Sequence, residues 1–174
     1  MDGCEALAVN LPGGFFGVAF RGTENLRDAL FDARVLPEWY PVLGPVHRGF
    51  LAGVARVWPR IAVSIPDKNV PLCFTGHSKG GAEATLAAAI AVVDGRLVRH
   101  LITFGSPRVA YSDRIADVLA RGGVNIVRYI NRGDPVPDVP PWWLGYRHVG
   151  RAIEIGEAWD ITPDHPSREY LKAL

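Results

Sequence analysis

The chain has 174 residues, of which 48% are hydrophobic and 21% are charged. This composition is typical of a folded globular protein and excludes a disordered one, and the length predicts a single domain over residues 1–174. The 19 basic and 18 acidic residues leave a net charge of +1, so the balance of charge predicts neither nucleic-acid binding nor a basic face for an anionic membrane.

Apolar runs alternate with helical stretches along the chain, which predicts an α/β fold with a mainly parallel sheet. The predicted strands cover residues 15–22, 70–76, the first part of 99–109, 124–131 and 151–155. The predicted helices cover residues 25–36, 50–65, 81–95, 112–123 and 165–174. The second helix is expected to break or kink near Pro59. Four prolines predict a loop over residues 132–148.

Two cysteines, Cys4 and Cys73, are too few for a disulfide framework or a cysteine metal site. The N-terminal residues lack the basic start and apolar stretch of a secretory signal, and no apolar run approaches the ~20 residues that span a bilayer. We therefore expect a soluble chain without stable membrane insertion, cytoplasmic by default. Histidines and acids do not cluster at ligand spacing, so neither a metal nor a cofactor is expected.

A Gly-x-Ser-x-Gly pattern at residues 76–80 places Ser78 between a predicted strand and a predicted helix. This is the context of a nucleophile elbow, where a sharp turn exposes the serine hydroxyl and flanking glycines avoid steric clash. The N-terminus of the following helix can stabilise negative charge. Ser78 is the predicted nucleophile; the alternative is a glycine-rich turn with a solvent-exposed serine.

A nucleophilic serine needs a base to take its proton and an acid to orient that base, in the chain order serine, acid, histidine. Asp134 directly follows the strand 124–131, where the carboxyl edge of the sheet is expected. Asp113 and Asp117 are interpreted as helix-face residues, and Asp138 lies deeper in the proline-rich loop. Asp134 is therefore the predicted acid, with a loop cap as the alternative.

Two histidines follow Asp134 and are candidates for the base. His165 precedes the last helix in a turn that can bring its imidazole over the serine, and we favour it over His148. The earlier histidines, His47, His77 and His100, are interpreted as structural.

Ester cleavage also needs donors for an oxyanion. The backbone N–H of Lys79 is one predicted donor, and Thr23 in the turn after the first predicted strand is the second, although Thr23 also suits a helix N-cap. Trp142 and Trp143, with Trp39 and Tyr40, are interpreted either as lining the substrate groove or as core residues.

Six sequence blocks make the chain resemble the fungal-lipase-like (class 3) family of α/β-hydrolases. They are VAFRGT, VHRGFL, TGHSKGGAEATL, TFGSPRV, DPVPDVPP and YRHVG, followed by DH near the end. The resemblance implies a compact α/β-hydrolase fold with helices on both faces of the sheet. It also implies the roles assigned above to Ser78, Asp134, His165 and Thr23, and a lid over residues 24–40.

The chain departs from that family where Lys79 and Glu83 replace apolar residues. Their i, i+4 spacing predicts a salt bridge between them. The alternative hypothesis is that Lys79 binds an anionic headgroup or carboxylate of the substrate. The expected function is a serine hydrolase that cleaves acylglycerol-type lipids or small esters, with contact to a lipid surface. The alternatives are a phospholipase A1, another acyl esterase or thioesterase, and a non-catalytic module on the same scaffold.

Overall fold

A six-stranded sheet forms the centre of the computed structural model, which describes residues 4–23, 36–156 and 167–173. The strands are β1 (Ala6–Asn10), β2 (Phe16–Phe20), β5 (Leu72–His77), β6 (Val98–Phe104), β7 (Asn125–Asn131) and β8 (Arg151–Ile155). Their order in the sheet is β1-β2-β5-β6-β7-β8. Only β1 is antiparallel to its neighbour in this sheet. The predicted mainly parallel sheet is therefore confirmed.

Four helices and a small second sheet complete the described structure. The helices are α1 (Arg48–Ser64), α2 (Lys79–Val93), α3 (Arg114–Arg121) and α4 (Ser167–Ala173), and the small sheet pairs β3 (Pro37–Tyr40) with β4 (Gly44–His47). Helix α1 continues through Pro59, so the break expected there is absent. The predicted helix 25–36 lies almost entirely outside the described residues, and the last four residues of the proposed lid segment form β3.

The core lies between the sheet and α2. Residues 79–91 of this helix are all buried, as its apolar composition predicts. Phe74 and Leu72 of β5 and Leu101 of β6 are fully buried, and α2 packs directly on these two strands. Because α2 follows β5 immediately, this packing fixes the turn that contains Ser78.

Helix α4 covers the opposite face of the sheet. The Tyr170 ring meets the rings of His77 and Phe104 edge-on, with centroids 5.4 and 6.2 Å apart. These two residues end β5 and β6 and have the opposite side-chain parity from the buried Phe74 and Leu101. The sheet thus carries helices on both faces, with α4 at its carboxyl edge.

The proline-rich segment 132–148 is a loop with two 3₁₀ turns, Val136–Asp138 and Trp142–Leu144. His148 stabilises this loop from inside, because its Nε2 donates a hydrogen bond to the Pro137 carbonyl at 2.8 Å. Burial, with the Arg128 charge, lowers the pKa of His148 to about 3. His148 is therefore a structural histidine that is neutral at physiological pH.

His47 is a second buried structural histidine. Its Nδ1 accepts a hydrogen bond from the Phe50 N–H at the start of α1, and its ring stacks on Phe50 with centroids 4.0 Å apart. Burial lowers the pKa of His47 to about 4. The structural interpretation of His47 is confirmed.

These two histidines predict that the protein loses stability below about pH 6.5. The unfolded chain protonates His47 and His148 near their usual pKa of ~6.5, whereas the folded chain keeps them neutral. Each histidine is therefore expected to lower the free energy of unfolding by about 2 kcal/mol between pH 7 and pH 5. The raised pKa of Glu83 works in the opposite direction, since the folded state then gains a proton more readily.

Urea unfolding at several pH values measures this effect. His148→Gln keeps a donor for Pro137 and is expected to lose about half of the pH dependence. Unfolding free energies that are equal at pH 7 and pH 5 in the wild type would contradict the prediction.

Candidate active site

Ser78 lies in a strained turn between β5 and α2. Its backbone has φ 58° and ψ −132°, and Val42 and Ser78 are the two non-glycine residues with positive φ in the described residues. Its N–H donates to the Phe104 carbonyl at 2.8 Å, and its own carbonyl accepts from the Gly81 N–H at 2.9 Å. A strained backbone held in place from both sides is typical of a functional residue.

Glycines make this turn geometrically feasible. A Cβ at Gly76 would meet the Gly80 carbonyl, and a Cβ at Gly80 would meet the Phe20 carbonyl at the end of β2. Only a residue without a side chain permits these approaches. The spacing of glycines in the sequence therefore reflects the close packing of the α2 N-terminus on β2 and β5.

Asp134 is buried just beyond the end of β7, as the sequence predicts. It is 6% exposed, and its Oδ1 accepts a hydrogen bond from the Val136 N–H at 2.9 Å. Its Oδ2 accepts from the Tyr170 hydroxyl at 2.5 Å. A buried carboxyl group with two such donors is held in one orientation.

Tyr170 is the site residue that sequence reasoning missed. Besides donating to Asp134, its oxygen accepts a hydrogen bond from the Asn131 N–H at 3.0 Å, and its side chain is buried. It therefore links the end of β7 to the carboxylate three residues later. Its sole sequence signal is its place in the C-terminal helix shortly after His165.

The ends of neighbouring strands bring Ser78 and Asp134 to the same edge of the sheet. Strand β6 lies between β5 and β7, and its last residue, Phe104, accepts the Ser78 N–H. The next residue, Gly105, lies so close to Asp134 Oδ2 and the Tyr170 hydroxyl that a Cβ there would be 2.7 and 2.8 Å from them. Gly105 thus separates the serine turn from the buried carboxylate.

Thr23 follows Gly22, which lies against the serine turn. A Cβ at Gly22 would be 2.8 Å from the His77 carbonyl and 3.4 Å from the Ser78 Cβ. The chain segment that carries Thr23 therefore passes directly beside Ser78, as the predicted oxyanion role requires. The role itself stays a prediction.

The base assignment rests on the sequence, because His165 lies outside the described residues. The competing His148 is engaged with the Pro137 carbonyl, and its lowered pKa makes it a weak base. His47 stacks on Phe50, and His77 packs on Tyr170.

Lys79 and Glu83 form the ion pair that their spacing predicts. Lys79 Nζ lies 3.3 Å from Glu83 Oε1, and the side chains are 11% and 0% exposed. Burial raises the pKa of Glu83, and the Lys79 charge opposes that shift. Because the lysine is engaged with a buried carboxylate, this geometry favours the salt-bridge hypothesis over the headgroup hypothesis.

Trp142 and Trp143 are surface residues. Each is 69% exposed, and their rings meet edge-on. Trp39 is 62% exposed, with the Arg114 guanidinium 5.1 Å from its ring centre. The interpretation of these tryptophans as core residues is therefore wrong, whereas contact with substrate stays a prediction.

Tyr170→Phe is expected to lower kcat for ester hydrolysis about 10-fold with little change in KM. The substitution removes the hydroxyl that orients Asp134, while the ring still packs on His77 and Phe104. Steady-state kinetics with a soluble p-nitrophenyl ester measure it, alongside the melting temperature. Tyr129→Phe, which leaves the stacked ring on Phe104, is the matched control. Equal kcat values for Tyr170→Phe and the wild type would contradict this role.

The sheet order, the strained serine turn and the buried carboxylate after β7 together define an α/β-hydrolase fold with a nucleophile elbow. The matching family model agrees with this class. The chain belongs to the class 3 lipase family, whose model matches residues 17–143. The resemblance to this family that the six sequence blocks indicate is confirmed.

Curated relatives and a solved structure extend this result. A lipase of Rhizomucor miehei is 31% identical over 160 residues, covering 86% of this chain and 42% of that protein. The secreted mono- and diacylglycerol lipase 1 of Fusarium solani is 38% identical over 113 residues, covering 60% of this chain and 32% of that protein. A triacylglycerol lipase described as having a serine protease triad at its catalytic centre superposes with a TM-score of 0.74 at 27% identity, over 88% of this chain and 62% of that one.

The chain spans less than half the length of those two curated relatives. One of them is a secreted enzyme, so the expectation of a cytoplasmic location has no support from these comparisons. None of the helices within the described ranges is long and apolar enough to cross a membrane.

Proposed function

We propose that this chain is a serine hydrolase that cleaves carboxylic esters of acylglycerol-type lipids through an acyl-enzyme on Ser78. The observation that carries the proposal is the strained Ser78 at the N-terminus of α2, at the same edge of the sheet as a buried Asp134 that is anchored by Tyr170. Family membership and the lipase relatives support the same chemistry.

In the proposed reaction, His165 accepts the proton of Ser78 Oγ as this oxygen attacks the ester carbonyl carbon. Asp134 stabilises the imidazolium that results. The carbonyl oxygen gains negative charge and is bound by Thr23 and the Lys79 N–H, each donor worth ~3 kcal/mol or more in a dry site. His165 then protonates the leaving alcohol, and water attacks the acyl-enzyme by the same sequence of proton transfers.

A fluorophosphonate probe tests the nucleophile directly. The adduct is expected on Ser78, located by mass spectrometry of the digested protein, and it is expected to form at the same rate as ester hydrolysis is lost. Hydrolysis of p-nitrophenyl esters from two to sixteen carbons, diacylglycerol emulsions and phosphatidylcholine vesicles then identifies the substrate class. A protein that neither labels nor hydrolyses any of these esters would be the non-catalytic module, and the proposal would be wrong.

We further propose that Trp142 and Trp143 contact the lipid surface during hydrolysis. They follow Pro140, whose carbonyl accepts a hydrogen bond from Arg108 close to the carboxyl end of β6, so they lie near the site edge of the sheet. Exposed tryptophans favour the boundary between water and lipid, because one part of the ring is apolar and the N–H is polar.

Replacing both tryptophans with serine is expected to lower hydrolysis of emulsified diacylglycerol about 10-fold and to leave hydrolysis of a soluble short-chain ester within about twofold. Val63→Ser, at an exposed apolar residue of α1, is the matched control. Equal losses on soluble and emulsified substrates would contradict surface binding by this pair.

A further inference from the structure

The buried ion pair at the start of α2 is not accounted for by the catalytic roles of Ser78, Asp134 and Thr23. Lys79 is the first residue of the helix, and Glu83 lies one turn further on with no exposed surface. The carboxylate is enclosed by other elements. A Cβ added to Gly53 of α1 would collide with Glu83 Oε1, and this added atom would also lie 3.3 Å from the Cβ of Cys4.

Stability does not explain why this pair is present. A cation at the first residue of a helix opposes the helix dipole, and lysine before glutamate is the less favourable order at i, i+4. Replacing a buried ion pair with apolar residues is often neutral or stabilising. Burial also raises the pKa of Glu83, and the Lys79 charge offsets only part of that shift. An apolar pair is therefore expected to stabilise the fold at least as well as this ion pair does.

The position of the pair offers a different explanation. Gly80 and Gly81 lie between its two members, and both are required, because a Cβ at Gly80 would meet the Phe20 backbone and a Cβ at Gly81 would be 2.8 Å from the Ser106 Cβ. Two adjacent glycines leave the first turn of a helix conformationally soft. The Lys79–Glu83 ion pair spans this flexible first turn, and it connects Lys79 to the buried second turn that contains Glu83.

We infer that Glu83 is a positioning residue for the oxyanion site, which holds the Lys79 side chain across Gly80 and Gly81 and thereby fixes the backbone N–H of Lys79. The inference rests on the proposed function, in which that N–H stabilises the developing oxyanion. A displacement of the donor by a fraction of an ångström weakens the transition state and leaves substrate binding almost unchanged.

The test replaces both members with leucine, because Lys79→Leu/Glu83→Leu leaves no unpaired charge and retains the backbone N–H. The expected result is a melting temperature equal to or above that of the wild type and a KM within about twofold. The kcat for p-nitrophenyl butyrate is expected to fall about 10-fold or more, which is part of the 10²–10³ that loss of an entire oxyanion donor costs. Affinity for butylboronic acid, which forms a tetrahedral adduct on the serine, is expected to fall by a similar factor.

Lys79→Arg keeps a cation for Glu83 and is expected to lower kcat less than the double leucine variant does. The exposed ion pair Asp113–Arg147 is the matched control. Replacing both of its members with leucine is expected to change neither kcat nor boronate affinity. If the double leucine variant does not fold, Glu83→Gln, which retains the size of the side chain, replaces it in the test. The kcat for p-nitrophenyl butyrate and the affinity for butylboronic acid are then measured on that variant.

Three outcomes separate this inference from the proposed function. A wild type that neither hydrolyses the ester nor binds the boronate overturns the proposed function, and the inference with it. An active wild type with an equally active double leucine variant overturns the inference alone. A lower kcat without weaker boronate binding also overturns it, because the effect would then not act on the oxyanion.

Discussion

Replacing Ser78 with alanine is expected to lower kcat for ester hydrolysis by about 10⁴-fold or more, the largest effect of any single substitution in this chain. The substitution removes the oxygen that forms the acyl-enzyme and leaves the rest of the site in place. The folded state is expected to persist, because alanine fits the space of serine and the backbone hydrogen bonds of residue 78 to Phe104 and Gly81 are retained. Initial rates with p-nitrophenyl butyrate measure the loss, and the melting temperature reports the fold.

Ser106→Ala is the matched control for this experiment. Ser106 is also a buried serine at the carboxyl edge of the sheet, but its hydroxyl is engaged with the adjacent Pro107 carbonyl at 3.1 Å. Its replacement is expected to change kcat by less than about threefold. A Ser78→Ala variant as active as the wild type would show that the hydrolysis uses a different nucleophile or none.

The nucleophile turn was predictable because its requirements are local. A strand, a serine flanked by glycines and a helix follow one another within a short stretch of chain, and the close approach of α2 to β2 and β5 restricts residues 76 and 80 to glycine. The position of Asp134 was predictable from topology, because the carboxyl ends of parallel strands lie at one edge of a sheet. Both predictions depend on the order of elements along the chain, which a sequence displays directly.

Tyr170 was not predictable in the same way. It donates to a carboxylate 36 residues earlier in the chain, and nothing in its helix distinguishes it from a core tyrosine. The edge strand β1 was missed because it lacks the large aromatic residues of β2. The strands β3 and β4 were missed because each has four residues and includes a proline. The ion pair of Lys79 and Glu83 followed from helix spacing, but its burial depends on Gly53 and Cys4, which belong to other parts of the chain.

Replacing Asp134 with asparagine is expected to lower kcat by about 10⁴-fold, the second largest effect, while the fold and KM change little. An asparagine side chain has nearly the same shape. Its oxygen can accept from the Val136 N–H, and its N–H can donate to the Tyr170 oxygen, which donates to Asp134 in the wild type. The neutral amide does not stabilise the imidazolium that forms on His165 in the proposed reaction. Steady-state kinetics across pH 6–9 measure the loss.

Asp138→Asn is the matched control, since it removes an acid four residues further along the same loop. Asp138 pairs with Arg108 through a side chain that is 81% exposed, so it lies in water rather than in the buried site. Its replacement is expected to change kcat by less than about twofold. If Asp138→Asn abolished hydrolysis and Asp134→Asn did not, the buried carboxylate that Tyr170 anchors would be a structural cap of the loop, and the acid of the site would have to be Asp138.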